Sequence, residues 1–533
     1  MSENRNIILF TGQSGIKVKK CIERIKSKIE REIKTVSVQD YIVESDVEVN
    51  DFREFLTKDI FYQVERWNEA FKKGIKDIDK KMIFLSMHSV YSSHSTGEIF
   101  SPLNFETLSA LRNRIKLLIV FIDDIYDIFR RLTEKDQIFA EIVSKKTDQL
   151  DAILQSINSL FFLLEWRQSE IATSRLISNT LGISMFIIAT KHPISIVQRL
   201  IEKSEEELKI YYIAHPITSI RESDEKVIPD FGSWLNTDVR KIFKEENSIL
   251  FLPGTIDELR IKDDKKQDVF FPELLRRLNL PYRDPYNITP PMTKRLKLIN
   301  PLNPFNYDVI CSEPSVKQSI SSLLRSLYNS IKKQITSRDL NIINQSKDGV
   351  IAYRPYYPDH ISDGVRSELE YNFQLKRKQS RRKNLILSVN EDIGRKRIKA
   401  FFTFYSSSGE KLTPDQEDKL QDICDLWCED QNILRIFFDK NNYAKQFENL
   451  IKKVSEIMGD IYRPKTDADE HRTFIEPIYK KRYEQIHKNF DKLEEDLFKD
   501  IFENYIDKDD FYYKYDWSED LNINELIENY FKK

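Results

Sequence analysis

The run Leu117-Leu118-Ile119-Val120-Phe121-Ile122-Asp123-Asp124 carries the clearest fold signal in this chain. Six large apolar residues follow one another without a polar interruption, and two carboxylates end the run. A strand with one solvated face would alternate apolar and polar residues, so an unbroken run predicts a strand that is buried on both faces. Such strands belong to parallel sheets that are covered by helices on both sides.

Three further apolar runs precede this segment in the sequence and one follows it, and segments with helical periodicity separate the runs. These runs cover residues 6–11, 35–42, 82–85 and 185–189. Strands that alternate with helices in this way predict a parallel sheet. We therefore expect a doubly wound α/β domain over residues 1–205.

A second alternating pattern begins near residue 206. Its expected strands cover residues 210–214, 249–252, 350–353, 385–389 and 400–405. A stretch near 262–312 is rich in Pro and Asn, which predicts an irregular insertion. The pattern indicates a second doubly wound parallel-sheet domain over 206–410. Residues 411–533 show amphipathic helical patterns, which predict a mostly helical C-terminal region.

Length, charge and cysteine content narrow the class of protein. The chain has 533 residues, 40% of them hydrophobic, and its net charge is -2, so no global charge favours nucleic acid or an anionic membrane. No apolar run reaches the length of a membrane span, and the N-terminus lacks the layout of a signal peptide, so we expect a cytoplasmic protein. Four cysteines provide no disulfide framework, and the pair Cys424 and Cys428 fits helix packing better than a metal site.

A glycine-containing loop follows the first expected strand and leads into a helix, which is where a phosphate-binding loop belongs. Gly12 and Gly15 have the spacing of such a loop, and Lys17 or Lys19 could reach a phosphate. Asp123, at the end of an apolar strand, has the position of a magnesium-binding carboxylate. This layout resembles the adenylate-kinase-like branch of the P-loop kinases, which implies ATP and Mg²⁺ as ligands.

The loop departs from that family at three places. Lys17 stands at the place of the third glycine, Val18 at that of the lysine, and Lys19 at that of the Ser or Thr that binds magnesium. Two alternatives stay open for this segment. The fold could serve packing or partner contact without nucleotide, and Asp123 could cap the helix that follows it.

Three segments of the second pattern carry polar residues in a characteristic order. Residues 215–221 (HPITSIR) follow an expected strand, residues 338–349 (RDLNIINQSKDG) precede one, and residues 363–371 (DGVRSELEY) open a helix. Together they resemble the nucleoside 2-deoxyribosyltransferase superfamily, which includes deoxynucleotide N-glycosidases. The resemblance covers roughly 210–405, and its most specific element is G-V-x-x-E-L at 364–369.

The resemblance implies the roles of individual residues. Glu368 matches the catalytic nucleophile, and Asp339 and Asp348 match further carboxylates of the site, although Lys347 displaces Asp348 by one position from the family pattern. Tyr353 and Arg354 stand where the family often has a carboxylate, which indicates an altered substrate or a binding site without catalysis. The implied substrate contacts are Ser219, Arg221, His215, Arg338, Tyr353, Arg354 and Asp363.

The chemistry of these residue types is consistent with that activity. Cleavage of an N-glycosidic bond passes through an oxocarbenium-like centre, which a carboxylate can attack to form a covalent sugar ester. A position near a helix N-terminus would help to keep Glu368 ionised, and Arg221 is suited to bidentate phosphate contact. The step needs no metal or other cofactor. Glu368 and Glu370 could instead be solvated side chains of a charged helix, and Asp363 could be only its N-cap.

Three functions therefore stay open. The first is an enzyme that hydrolyses or exchanges the base of a nucleoside or nucleotide, and the second is an inactive nucleotide-binding sensor or scaffold. The third is a kinase-like phosphotransferase. The C-terminal helices could support a homo-oligomer or bind a protein partner, whereas the basic run at 376–383 lacks the interleaved aromatics typical of nucleic-acid contact.

Overall fold

The chain folds into two compact units in a computed structural model. The first unit comprises residues 1–207 and 254–345, and the second comprises residues 208–253 and 346–533. The structure describes residues 5–45, 49, 51–76, 81–93, 97–134, 149–216, 247–253, 256, 258–262, 268–271, 314–355, 361–389, 394–395, 398–399, 402, 414–438, 445–446, 449 and 511–515. This division differs from the three consecutive segments expected from the sequence, because residues 254–345 belong to the first unit.

A five-stranded parallel sheet forms the centre of the first unit. Its strands are β1 (Ile7–Gly12), β2 (Ile33–Ser37), β3 (Met82–Ser86), β6 (Ile115–Ile122) and β7 (Ser184–Ala189), in the spatial order β2-β3-β1-β6-β7. The predicted strand at 117–122 lies next to the central strand β1 and is buried over nearly its whole length. The expectation of an α/β fold with a parallel sheet is confirmed here.

The unit contains nine helices among the described residues. These helices are α1 (Val18–Lys26), α2 (Val38–Ser45), α3 (Phe52–Thr57), α4 (Ile60–Lys76), α5 (Phe105–Ala110), α6 (Ile125–Glu134), α7 (Gln149–Leu181), α8 (Ile194–Glu202) and α9 (Pro314–Gln345). The strands β1 and β6 are buried along nearly their whole length, as expected for unbroken apolar strands, and α1, α7 and α9 pack against strands of this sheet. The strand expected to extend to residue 42 ends at Ser37, because Val38 and Ile42 are buried at the i, i+4 spacing of a helix. Two short antiparallel pairs also occur, formed by β4 (Tyr91–Ser92) with β5 (Ile99–Phe100) and by β10 (Arg260–Lys262) with β11 (Asp268–Phe270).

The second unit has a parallel sheet of its own. Its strands are β8 (Lys209–Ala214), β9 (Ser248–Phe251), β12 (Gly349–Tyr353), β13 (Lys383–Val389) and β14 (Phe511–Tyr515), in the order β14-β13-β12-β8-β9. Helix α10 (Asp363–Lys376) connects β12 to β13, and α11 (Pro414–Glu429) and α12 (Gln431–Phe438) follow in the chain. An α/β fold is thus confirmed for this unit as well.

Two expectations concern the later part of the chain. The first is incomplete, and the second falls almost entirely outside the described residues. The C-terminal region was expected to be mostly helical, and it also contributes the strand β14, which pairs with β13. Its sequence, Phe511–Tyr515, is rich in aromatic residues, which have a high propensity for strands. The expected strand at 400–405 lies outside the described residues except for Phe402, which is helical. Cys424 and Cys428 are buried on α11, as their predicted packing role requires.

No helix among the residues described is long and apolar enough to cross a membrane.

Candidate functional site

The polar groups of the loop that follows β1 form hydrogen bonds within the loop and to α7. Gln13 is buried, and its side-chain amide donates to the Leu163 carbonyl of α7 at 2.9 Å. The Ile16 backbone N–H donates to the Gln13 carbonyl at 3.1 Å, and the Val18 N–H donates to the Ile16 carbonyl at 2.8 Å. A phosphate cradle offers such N–H groups to its ligand, so at least two of these donors are already satisfied within the loop.

The two glycines of the loop allow close packing. A Cβ atom at Gly12 would lie 2.9 Å from the Phe121 carbonyl oxygen of β6. Gly15 has φ of 85°, and a Cβ atom there would lie 2.9 Å from Ile128 of α6. Both glycines are therefore required for contact with neighbouring elements, and Gly15 also for its left-handed backbone.

The cations and the carboxylate predicted for this loop do not converge on one ligand position. Lys17 is exposed, and Lys19 forms an ion pair with Asp40. Asp123 is buried and forms an ion pair with Arg131 at 2.6 Å. Asp124, rather than Asp123, accepts a hydrogen bond from the Tyr126 N–H in the first turn of α6, at 2.9 Å.

Asp124 lies close to a buried ion pair. Arg167 of α7 donates to both carboxylate oxygens of Glu258, at 2.5 and 3.0 Å, and Glu258 also accepts from the Ile125 N–H at 3.1 Å. Burial and, to a smaller extent, the negative charge of Glu258 raise the pKa of Asp124 to about 7, against the opposing effect of Lys191. This network connects α6, α7 and the segment that contains Glu258.

In the second unit, Glu368 lies on the side of α10 that faces the sheet. Val365, Leu369 and Asn372 are buried on that side, and Glu368 shares it at the i+3 position. The Tyr212 hydroxyl of β8 donates to the Glu368 carboxylate at 2.7 Å. Glu368 is half-buried, whereas Glu370, two residues further along the helix, is exposed.

The start of α10 is set by Ser362. Its hydroxyl accepts from the Val365 N–H at 3.3 Å, so Ser362 is the N-cap and Asp363 is an exposed residue of the first turn. Glu368 follows in the second turn. The influence of a helix N-terminus falls off within the first turn, so Tyr212 is the closer source of stabilisation for this carboxylate.

Three other predicted residues lie at the carboxyl ends of the neighbouring strands β8 and β12. His215 directly follows β8 and is buried. Tyr353 ends β12 and is fully buried, and the next residue, Arg354, is 3% exposed. Arg354 has φ of 47°, a left-handed conformation that non-glycine residues seldom adopt and that clusters at functional sites. In parallel α/β sheets ligands bind at this edge.

Asp348 lies at the opposite edge, because it directly precedes β12. Its carboxylate accepts from the Ile210 N–H at 2.7 Å and pairs with Arg381, whose guanidinium also donates to the Leu208 carbonyl at 2.9 Å. These contacts join the beginnings of β8, β12 and β13. The structure thus does not bring Asp348 together with Glu368.

Arg338 and Asp339 belong to the first unit, whereas Glu368 belongs to the second. Both residues lie on α9, where they pair with each other at 3.0 Å. Arg338 also donates to the Ile256 carbonyl at 2.8 Å. Burial raises the pKa of Asp339 against the lowering effect of Arg338. Their observed contacts join parts of the first unit.

Ser219 and Arg221 lie outside the residues that the structure describes. Their roles as sugar or phosphate contacts stay predictions. No cluster of three or more His, Cys, Asp or Glu residues suited to a metal ion occurs within the described part of the chain.

Two residues with notable contacts were not singled out from the sequence. Tyr212 belongs to the apolar pattern that predicts the strand at 210–214, and the available signal was its hydroxyl, which needs a partner when the ring is buried. Glu170 is one of several charged residues in a long predicted helix, and no motif distinguishes it from the others. Its position three residues after Arg167 and within an otherwise buried helix surface was the available signal.

In comparisons with known proteins, no family model matches this sequence and no curated protein matches it significantly. The resemblance to deoxyribosyltransferases therefore depends on the residues described above.

Proposed function

We propose that the second unit cleaves the N-glycosidic bond of a nucleoside or nucleotide, with Glu368 as the nucleophile. The observation that carries this proposal is the hydrogen bond from Tyr212 to Glu368, which holds a half-buried carboxylate on the sheet side of α10. A carboxylate that served only as a solvated surface group would resemble Glu370, which is exposed.

In the proposed reaction, one oxygen of Glu368 attacks the anomeric carbon of the sugar while the carbon–nitrogen bond breaks. The electron pair of that bond leaves with the base, which takes up a proton. The resulting sugar ester is then cleaved by water, which gives the free sugar and restores the carboxylate. A second free base in place of water would give base exchange, so hydrolysis and transfer share the same first step.

Tyr212 is a positioning residue in this scheme. A carboxylate has two oxygens, and a hydrogen bond to one of them fixes the orientation of the group. The other oxygen is then held in a defined position for attack on the sugar. A hydrogen bond to a charged group contributes about 1.5–3 kcal/mol. Because the Tyr212 ring is fully buried in the sheet, its hydroxyl position is defined by packing.

The substrate would bind at the carboxyl edge of the sheet. His215, Tyr353 and Arg354 end neighbouring strands there, and the left-handed backbone of Arg354 is consistent with a functional position. The cationic Arg354 in place of the family's carboxylate favours an anionic substrate such as a nucleoside 5′-monophosphate. Ser219 and Arg221 are proposed to contact the sugar-phosphate end on the basis of the resemblance alone.

Release of free base from a panel of nucleosides and 5′-monophosphates, measured by chromatography, tests the proposal. A second free base in each reaction detects transfer. We expect Glu368→Gln to lose activity by a factor of at least roughly 10³, as removal of a nucleophile does. Glu370→Gln is the matched control on the same helix and should retain full activity, and Tyr212→Phe should lose about 10- to 100-fold.

No base release by the wild-type protein on any substrate would overturn the proposal. Equal activity of wild type and Glu368→Gln would show that another residue is the nucleophile. Equal losses in Glu368→Gln and Glu370→Gln would indicate damage to α10 rather than to chemistry.

A scaffold role is a second candidate, for the first unit. It is favoured by the loop after β1, where N–H groups of Ile16 and Val18 bind carbonyls of the loop itself. A kinase-like activity has less support, because Asp123 is already paired with Arg131. Calorimetric titration of the wild type and of Asp123→Asn with ATP and Mg²⁺ separates these possibilities. A kinase-like site predicts binding heat that the variant loses, and we expect no difference between the two proteins.

A further inference from the structure

Glu170 of α7 is a buried carboxylate held by neutral donors. It is 1% exposed. One of its oxygens accepts from the Thr11 hydroxyl and from the Ser89 N–H at 3.0 Å, and the other accepts from the Val90 N–H at 3.1 Å. No Lys, Arg or His among the described residues forms an ion pair with it. A buried carboxylate without a cation depends on such hydrogen bonds for its stability.

The donors lie at the carboxyl edge of the first sheet. Thr11 is near the end of β1, and Ser89 and Val90 follow β3, its neighbour in the sheet. From β1 the chain continues to β2, which lies beyond β3, whereas from β3 it continues to β6, which lies beyond β1. Neighbouring strands whose connections leave in opposite directions open a crevice at their carboxyl ends, and ligands of α/β proteins bind there.

Helix α7 closes this crevice along one of its faces. Leu163, Glu170 and Ser174 are spaced i, i+7 and i+11, which places them on the same side of the helix. The Leu163 carbonyl accepts from Gln13, and the Glu170 carbonyl accepts from the Ser89 hydroxyl at 3.2 Å. The Ser174 hydroxyl lies 3.3 Å from that of Ser89. The loops after β1 and β3 are thus both bonded to α7.

The donor set is that of an anion site. Two consecutive backbone N–H groups and a hydroxyl converge on the two oxygens of one carboxylate, as they do on bound oxyanions in other proteins. We propose that the crevice between β1 and β3 is a carboxylate-binding site that the chain fills with its own Glu170. The first unit is accordingly a parallel α/β fold whose crevice holds an internal ligand. This inference concerns the first unit and is independent of the glycosidic chemistry proposed for the second.

Removal of the Glu170 side chain should create a site for a small external carboxylate. In Glu170→Ala the Thr11 hydroxyl and the Val90 N–H lose this acceptor, and the Ser89 N–H keeps only the Thr11 hydroxyl oxygen at 3.2 Å. Formate is small enough to replace the missing group. The experiment measures thermal unfolding of the full chain against sodium formate, with sodium chloride at equal ionic strength as the salt control. Glu165→Ala is the matched variant, since Glu165 is an exposed residue of the same helix.

We expect Glu170→Ala to melt roughly 5–10 °C below the wild type. Formate, but not chloride, should recover part of that loss in a saturable way, and it should change neither the wild type nor Glu165→Ala more than chloride does. Equal effects of formate on Glu170→Ala and on the wild type would overturn the proposal. A melting temperature of Glu170→Ala equal to that of the wild type would also overturn it.

A second variant keeps the proposal testable when Glu170→Ala does not fold. Glu170→Gln retains the size of the side chain but replaces one anionic oxygen by an amide that cannot accept the Val90 or Ser89 N–H. We expect it to fold and to melt below the wild type. A melting temperature equal to that of the wild type would show that the anionic carboxylate is dispensable, which contradicts the proposal.

Discussion

Replacement of Arg167 by Met tests the buried network of the first unit. The Arg167 side chain is 6% exposed, and its guanidinium donates twice to Glu258, whose side chain is fully buried. In the variant, Glu258 keeps only the hydrogen bond from the Ile125 N–H among these contacts. A buried charge that loses its partner destabilises a fold by about 3–5 kcal/mol. We therefore expect a loss of that size in the free energy of unfolding.

The assay is equilibrium unfolding of the full chain in urea, followed by tryptophan fluorescence. The slope of the free energy of unfolding against urea concentration must be the same in the variant as in the wild type for the comparison to hold. Lys81→Met is the matched control, because Lys81 pairs with Glu32 at the surface at 2.5 Å and both side chains are largely exposed. Exposed pairs contribute about 0–1 kcal/mol. The double variant Arg167→Met with Glu258→Gln should recover part of the loss, since the unpaired charge is gone.

A loss below about 1 kcal/mol for Arg167→Met, equal to that of the surface control, would refute the reasoning. The same conclusion follows when the double variant is no more stable than Arg167→Met. Either result would mean that water or another group compensates the charge of Glu258.

Three further predictions concern other positions. Asp124 has a pKa raised to about 7, so between about pH 4 and 7 the folded protein binds more protons than the unfolded chain, and its stability falls as the pH rises through that range. Asp124→Asn should therefore stabilise the protein at pH 8 but hardly at pH 4, which melting curves recorded at several pH values would detect. Gly349→Ala should lower the free energy of unfolding, measured in urea, by more than about 3 kcal/mol, because φ is 122° and the added methyl group would overlap the Lys383 backbone. Gly97→Ala is the control and should lower it by about 1 kcal/mol, because φ is 69° and no atom lies within 4 Å of the added methyl group. Asp348→Asn should lower the melting temperature without reducing base release per folded molecule, because Asp348 joins the opposite edge of the sheet from the proposed substrate site; a selective loss of turnover would place it in the site after all.

The candidate site shows where sequence reasoning was sufficient and where it was not. The G-V-x-x-E-L segment led to Glu368, and its helical spacing to Val365 and Leu369 already predicts a place near the buried face of α10. Its partner Tyr212 is 156 residues away in the chain, so no local pattern connects the two. Likewise, the motif order assigned Arg338 and Glu368 to one site, and only the structure shows that α9, which carries Arg338, belongs to the first unit.

By itself, the sequence determined the local features of this protein. Unbroken apolar runs such as 117–122 can be satisfied only in a sheet covered on both faces, and they predicted both parallel sheets. The residue types at the strand ends also predicted polar edges. Only the tertiary structure decided which of these polar groups are paired with other groups of the protein.

The difference has a physical cause. Whether Lys19, Asp123 or the loop after β1 is available to a ligand depends on long-range partners such as Asp40, Arg131 and α7. A buried polar group must be paired somewhere, but the partner can come from any element that packing brings near. The periodicity of the sequence thus fixes the elements, and the packing of distant elements fixes which charges remain for function.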